Sequence, residues 1–353
     1  MIARIHWVIF LACALFWPRV GFAGHCPRTV VEFSAPQSAL HPTLNLQGAK
    51  ILVTGGAGFI GSHLVRALID LGGQVHIVDN LLTGLPRNIH PEAHFHGLNI
   101  HSSEFVELVE RLKPDYVYHL AFNTSAPESV QDPLVDLDSI AGSMLLLQAL
   151  KSTRPRKTVF ASSAFLYGNT AHSPASELAP VDLVAPYAIS KYCVENYFTF
   201  YGKAFALPTV TLRFGTVYGP GQTRGALTDY IRKLSAGEQA AIYGDGSKTR
   251  DYIYVSDIVS ASLSALEIPD SHPNPLFNVA TERETTLLAL YGMIARHLNV
   301  QPKPNMCEDR PGEQTKCRLS CAKFRELTGW LPQVELEQGL MRTIPAFLES
   351  GWE

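Results

Sequence analysis

Residues 50–79 constrain what this chain can fold into more tightly than any other stretch. Lys50-Ile-Leu-Val-Thr54 is a short, β-rich apolar run, Gly55-Gly-Ala-Gly-Phe-Ile-Gly61 follows it, and Ser62 to Leu71 carries apolar residues at helical spacing. The pattern predicts strand, turn and helix. Glycines at these spacings allow a tight turn, let backbone approach a pyrophosphate and let helix pack on strand, while the helix N-terminus attracts the anion. A second apolar run, Gln74 to Val78, ends at Asp79, eighteen residues beyond Gly61. A carboxylate there accepts both hydroxyls of a ribose and repels a 2′-phosphate, which selects NAD over NADP. Arg87, the nearest arginine after it, is eight residues further on. An aspartate that merely caps a strand is the plain alternative.

The alternation continues through His94–His96, Asp115–Leu120, Met144–Leu150, Thr158–Ala161 and Pro208–Arg213. It predicts an α/β fold with a Rossmann-type, doubly wound parallel sheet, ligands gathering at the carboxyl ends of its strands. With 353 residues the chain is long enough for two unequal lobes. The division expected is 49–213 for dinucleotide binding and 214–353 for a smaller, partly interleaved substrate lobe. A net charge of −3 with no run of one sign lacks the basic face of a nucleic-acid platform. Six cysteines show no metal-type spacing and read as free thiols, and His90, His94 and His96 read as surface residues of one loop, so no metal is expected.

Residues 1–48 stand apart. Ile5 to Trp17 is apolar, follows Arg4 and precedes Gly21-Phe-Ala-Gly24, as in a signal-peptide core with its cleavage site. A signal or membrane anchor, an upstream start in the gene and an unstructured extension all fit. The scattered Pro, Ser and Gln of 24–48 read as linker, with the fold beginning near Lys50.

Thr158 to Ser163 reads as a buried strand ending in two hydroxyls, and some two dozen residues later Pro186-Tyr187-Ala-Ile-Ser-Lys191 opens a helix. Tyr187 and Lys191, at i and i+4, share a helix face. An unperturbed tyrosine titrates near 10, and bringing it to about 7 takes roughly 4 kcal/mol of differential stabilisation. A lysine ammonium and an oxidised nicotinamide can supply that. Tyr187 then removes a hydroxyl proton while hydride leaves the same carbon, with Ser163 bonding the oxygen. Taken alone, such a Tyr/Lys pair is usually surface decoration; the glycine turn and the serine strand give it weight.

Through TGGAGFIGSHL (54–64), VDNLLTG (78–84), YHLAFNTSAPESVQDP (118–133), FASSAFLYG (160–168), PYAISKYCVE (186–195), LRFGTVYGPGQ (212–222), YGDGSKTRDYIYVSDIV (243–259) and RPGEQTKCRLSCAKFRELTGW (310–330), the chain resembles the extended short-chain dehydrogenase/reductase family, specifically its NAD-dependent nucleotide-sugar epimerases and dehydratases. The likeness runs from about residue 50 to 345. It implies Ser163, Tyr187 and Lys191 as a catalytic triad. It places Gly55, Gly58, Phe59, Ile60, Gly61, Asp79, Asn80, Asn99 and Ala121, with Tyr187 and Lys191, on NAD. It sets Thr124, Ser125, Ser163 and Thr216 at the sugar, and Arg250 and Arg310 on the nucleotide-sugar diphosphate, where guanidinium forks match phosphate oxygens.

Family dehydratases and decarboxylases carry acidic residues after the Ser/Thr, whereas Ala164 and Phe165 stand here. Removing water from a 4-keto sugar needs an acid and a base. The resemblance therefore points to a 4-epimerase of the UDP-glucose type, ahead of a 4-ketosugar reductase, a dehydratase or a non-catalytic dinucleotide binder. It also implies a homodimer through the helix after the fourth strand and the Tyr/Lys helix, with Val194, Tyr197, Phe198 and Tyr201 as its apolar face or as core. A cytoplasmic catalytic domain is expected, membrane-attached or secreted only if residues 5–17 act as an anchor or signal.

Overall fold

A computed structural model describes residues 44–170, 172–272 and 275–350. The apolar segment 5–17, its flanks, Cys13 and Cys26 lie outside the described residues. Residues 44–48, at the end of the stretch read as linker, belong to the fold: Leu46 is fully buried and the Gly48 N–H donates to the Gly72 carbonyl at 2.9 Å. Leu44 and Leu46 supply apolar surface to the core beside the helix Phe59–Asp70, which is why the chain is held before its first strand.

Seven strands form the main sheet: β1 (Lys50–Thr54), β2 (Gln74–Val78), β3 (His94–His96), β4 (Tyr116–His119), β5 (Lys157–Ser163), β6 (Thr209–Phe214) and β7 (Leu276–Val279). Their spatial order is β3-β2-β1-β4-β5-β6-β7, and every pairing is parallel. The winding reverses between β1 and β4, which opens a crevice at their carboxyl ends. All six residues of β6 and four of five in β1 are buried, as a sheet covered on both faces requires.

Helices α1 (Phe59–Asp70), α2 (Ser103–Leu112), α3 (Ala126–Gln131), α4 (Leu137–Thr153), α5 (Pro186–Phe205), α6 (Ala226–Ser235), α7 (Val255–Ser264), α8 (Leu287–His297), α9 (Ala322–Thr328) and α10 (Leu336–Ser350) complete the fold. In α2, Ser102 caps the start by accepting from the Phe105 N–H, and Phe105, Leu108, Val109 and Leu112 form its buried stripe. On the same face α4 and α5 add Leu146, Leu150, Val194 and Phe198 against Phe160 of β5. Val194 and Phe198 are thus core, and the large apolar residues α5 exposes are Ile189 and Phe200. The stretch Pro133–Thr153 is long and apolar enough by composition to cross a membrane, but Leu146, Leu147 and Leu150 within it are buried against the sheet layer.

His94 and His96 lie on β3, not in a loop, and their rings stack on His76 of β2 at 4.6 and 5.4 Å. Burial and the neighbouring imidazoles push His76 down to about 4.

The second lobe has its own core of Tyr218, Ile231, Ile242, Tyr291, Ile294 and Leu340. Short strands frame it: Thr216–Tyr218 pairs with Tyr252–Tyr254, Ala241–Tyr243 with Asn305–Cys307, and Thr249–Arg250 with Thr285–Thr286. β7 carries the chain back into the main sheet between them.

Candidate active site

The glycine turn sits at the switch point. Gly55 has φ +74° and a Cβ there meets the Ala121 nitrogen at 2.7 Å, while one at Gly61 meets the Gly55 carbonyl at 2.1 Å. Those two glycines answer to packing. Gly58 differs, because only the Gly55 oxygen, at 3.2 Å, lies within reach of a Cβ. Its missing side chain leaves the mouth of the turn open, which fits the approach of a diphosphate. Helix α1 starts at Phe59 with Gly58 as an N-cap lacking a side chain, and its first turn holds no acidic residue. The Phe59, Ile60 and Gly61 N–H groups are first-turn donors without an intrahelical acceptor. The side chains of Phe59 and Ile60 pack into the two cores, so the backbone is what they offer a ligand.

Asp79 ends β2 and is buried. Its carboxylate accepts from the Ala57 N–H at 3.0 Å and the Leu81 N–H at 2.9 Å, joining the turn to the strand end that a ribose would meet. Asn80 and Asn99 are exposed beside it and bonded to each other, Nδ2 to Oδ1, at 2.6 Å.

Behind the turn runs a buried chain of hydrogen bonds. The Ser143 hydroxyl donates to the Ser139 carbonyl at 2.6 Å, so Ser143 accepts from Nε2–H of His119 at 2.8 Å. His119 Nδ1 is then bare and accepts from the Thr54 hydroxyl at 2.7 Å, and the Thr54 oxygen accepts from the Ala121 N–H at 3.2 Å. Burial pushes His119 down to about 3, so the ring is neutral and this tautomer holds. The arrangement pins Ala121 against Gly55.

The Tyr187/Lys191 pair lies on the first turns of α5, whose Tyr187 N–H donates to buried Ser129 Oγ of α3 at 3.0 Å. Ser163 ends β5 with its oxygen accepting from the Phe165 N–H at 3.1 Å, and its hydroxyl favours the ionised form of Tyr187. Burial wins over that bond and pushes the Tyr187 phenol up to about 12. The lowered tyrosine expected from the sequence is thus not a property of the protein's own groups. Lys191 explains part of this: its ammonium donates to the Ala161 carbonyl at 2.7 Å and lies 3.9 Å from the Phe122 ring centroid and 4.9 Å from that of Phe160. Burial lowers it to about 7. Two rings also stand edge-on to the Tyr187 phenol, Phe165 at 6.0 Å and Phe122 at 6.4 Å.

Of the residues assigned to the sugar, Thr124 is exposed, Ser125 is half-buried and caps α3 by accepting from the Glu128 N–H, and Thr216 donates its N–H to the Asp251 carbonyl. Arg250 is braced, with Nη1 donating to the Thr249 and Gln314 carbonyls at 2.8 Å each. Arg310, four residues before Gln314, is exposed and its guanidinium lies 3.2 Å over the Tyr243 ring. The bond to the Gln314 carbonyl ties Arg250 to the loop that also carries Arg310.

Several buried or half-buried groups were not singled out from the sequence: His119, the cage of Phe122 and Phe160, Asp136, and the Glu195–Arg213 pair. Only the last had a local signal, a charged residue one turn beyond Lys191. Among the described residues no cluster fits a metal ion, and Cys193, Cys307, Cys317 and Cys321 are free thiols.

Against known proteins, residues 51–280 match the model of the NAD dependent epimerase/dehydratase family. A protein of Methanocaldococcus jannaschii described as a putative UDP-glucose 4-epimerase is 34% identical over 83% of this chain and 97% of its own length. The crystal structure of UDP-glucose 4-epimerase with UDP-glucose from Thermotoga maritima superposes with a TM-score of 0.82 at 36% identity, covering 85% of this chain and 99% of that one. The Thermus thermophilus UDP-glucose 4-epimerase complex with NAD gives 0.79 at 32%, covering 84% and 98%.

Proposed function

We propose that this chain, which belongs to the NAD-dependent epimerase/dehydratase family, interconverts the carbon-4 epimers of a UDP-hexose through a transient 4-keto sugar. The observation that carries the reading is the Ser163, Tyr187 and Lys191 grouping at the carboxyl edge of β5, bordered by Ala164 and Phe165, neither of which titrates. NAD is the cofactor, and when bound it would supply hydride acceptance and return at carbon 4. The cradle around Gly58, the free donors of α1 and Asp79 fit its diphosphate and ribose.

Tyr187 takes the proton of the carbon-4 hydroxyl as the ketone forms and gives it back as the ketone is reduced. Ser163 bonds the same oxygen and favours the phenolate. Lys191 contributes positive charge beside the phenol, and the Phe122 and Phe165 rings shut water out of the exchange. Arg250 and Arg310 hold the substrate diphosphate, and residues beyond 214 supply most of the sugar-facing lobe. Self-association is supported by Leu137 and Met144 on α4 and Ile189 and Phe200 on α5, all exposed on adjoining helices.

Purified protein is expected to convert UDP-galactose to UDP-glucose with no added NADH; strict consumption of NADH, or no conversion of any UDP-hexose, overturns the reading. Arg250→Ala is expected to raise KM for the UDP-sugar about 10- to 100-fold with kcat nearly kept, the cost of one charged hydrogen-bonding clamp. An unchanged KM in steady-state kinetics removes Arg250 from the diphosphate.

A further inference from the structure

Asp136 is 1% exposed, yet among the described residues no cation bonds it. It sits at the end of the turn Pro133–Asp136, just before α4. One carboxylate oxygen accepts from Asn123 Nδ2 at 2.8 Å and the other from Ser190 Oγ at 3.1 Å. Asn123 follows Phe122, whose ring covers the Lys191 ammonium; Ser190 precedes Lys191 on α5. The carboxylate therefore grips both walls of the lysine's enclosure, at a place where an unpaired buried charge is costly. We propose that Asp136 is a positioning residue, the buried counter-charge of Lys191, and that it sets the pH window in which the Tyr187/Lys191 pair works. This deepens the epimerase reading and rests on it.

The groups around Lys191 leave that role to Asp136. His119 of β4 is neutral, Phe122 and Phe160 carry no charge, Ala161 offers a carbonyl, and Tyr187 shares its helix. One turn further along α5, Glu195 is taken up by Arg213 and Ser162. Asp136 is the negative charge that acts on both members of the pair: it raises the pKa of Lys191 and also that of Tyr187.

The signs give a specific signature. Neutralising Asp136 makes the ammonium harder to keep and the phenolate easier to form, so both pKa values fall. A bell-shaped profile of kcat/KM, bounded by Lys191 near 7 and Tyr187 near 12, then moves as a whole toward lower pH. Asp136→Asn is expected to move it by about one pH unit. Ser190→Ala, which removes one bond and keeps the charge, is expected to leave the bell in place. A structural role alone lowers the rate equally at every pH.

A second readout needs no turnover. The phenolate absorbance difference between each protein and its Tyr187→Phe counterpart isolates the Tyr187 titration. Its midpoint is expected above 10 in the unaltered protein and lower in Asp136→Asn. A midpoint at or below 10 in the unaltered protein, an unmoved midpoint or bell in Asp136→Asn, or an Asn variant that does not fold overturns the proposal. Absence of epimerase activity with the titration shift intact instead counts against the reaction and keeps the counter-charge.

Discussion

Tyr187→Phe is expected to cut kcat for UDP-hexose epimerisation about 10²- to 10⁴-fold, the range that a positioned acid–base group contributes. Binding of NAD and UDP-sugar should survive, since the ring keeps its edge-on packing against Phe165 and Phe122 and loses only the oxygen. Burial holds the free phenol near 12, so forming the phenolate is the difficult part of the proton transfer. The positive charges gathered at the site are needed to overcome that barrier, and with the oxygen gone they have nothing to act on. Turnover and ligand binding measured side by side decide the matter; a variant keeping more than a tenth of the original kcat takes Tyr187 out of the chemistry.

Glu195→Ala is expected to lower the unfolding free energy by about 3–5 kcal/mol, because it strands a buried arginine. Glu195 and Arg213 are both almost wholly buried; Arg213 donates to Glu195 through Nε at 3.0 Å and through Nη2, and Ser162 Oγ donates at 2.9 Å. Tyr167 lies over the guanidinium at 4.8 Å and offers it no charge in exchange. Since Glu195 is one turn beyond Lys191, the pair ties the catalytic helix to β5 and β6. Urea unfolding of the two proteins gives the difference, and a loss below about 1 kcal/mol would show that the pair does little more than a surface bridge.

What could be read from the sequence was local. The strand, turn and helix at residues 50–71 announce themselves by spacing, Asp79 falls where the next strand must end, and Tyr187 and Lys191 meet because a helix brings i and i+4 together. That the sheet is parallel and covered by helices follows from the alternation. The electrostatics did not follow, because desolvation depends on neighbours far away in the chain. Lys191 is enclosed by Phe122 from the loop after β4 and Phe160 from β5, and nothing around Lys191 in sequence records either ring. For the same reason the Ser163 hydroxyl that favours the phenolate is legible in the sequence, while the burial that outweighs it is not. His119 and Asp136 escaped notice as a single histidine at a strand end and a single aspartate before a helix. Their meaning lies in partners on other elements, Thr54 and Ser143 for one, Asn123 and Ser190 for the other.

The small and apolar residues at 164 and 165 bear on fidelity as well as on reaction type. A ketone at carbon 4 makes the hydrogen on carbon 5 acidic, and a carboxylate nearby would draw it off and send the sugar toward elimination. Ala164 has no reach, and Phe165 sets a hydrocarbon edge against the phenol. The keto sugar thus meets no second base at these two positions, and the exit favoured there is reduction back to an alcohol. Leakage to side products is suppressed by what these two positions lack, and a single carboxylate introduced at 165 is where such leakage would begin.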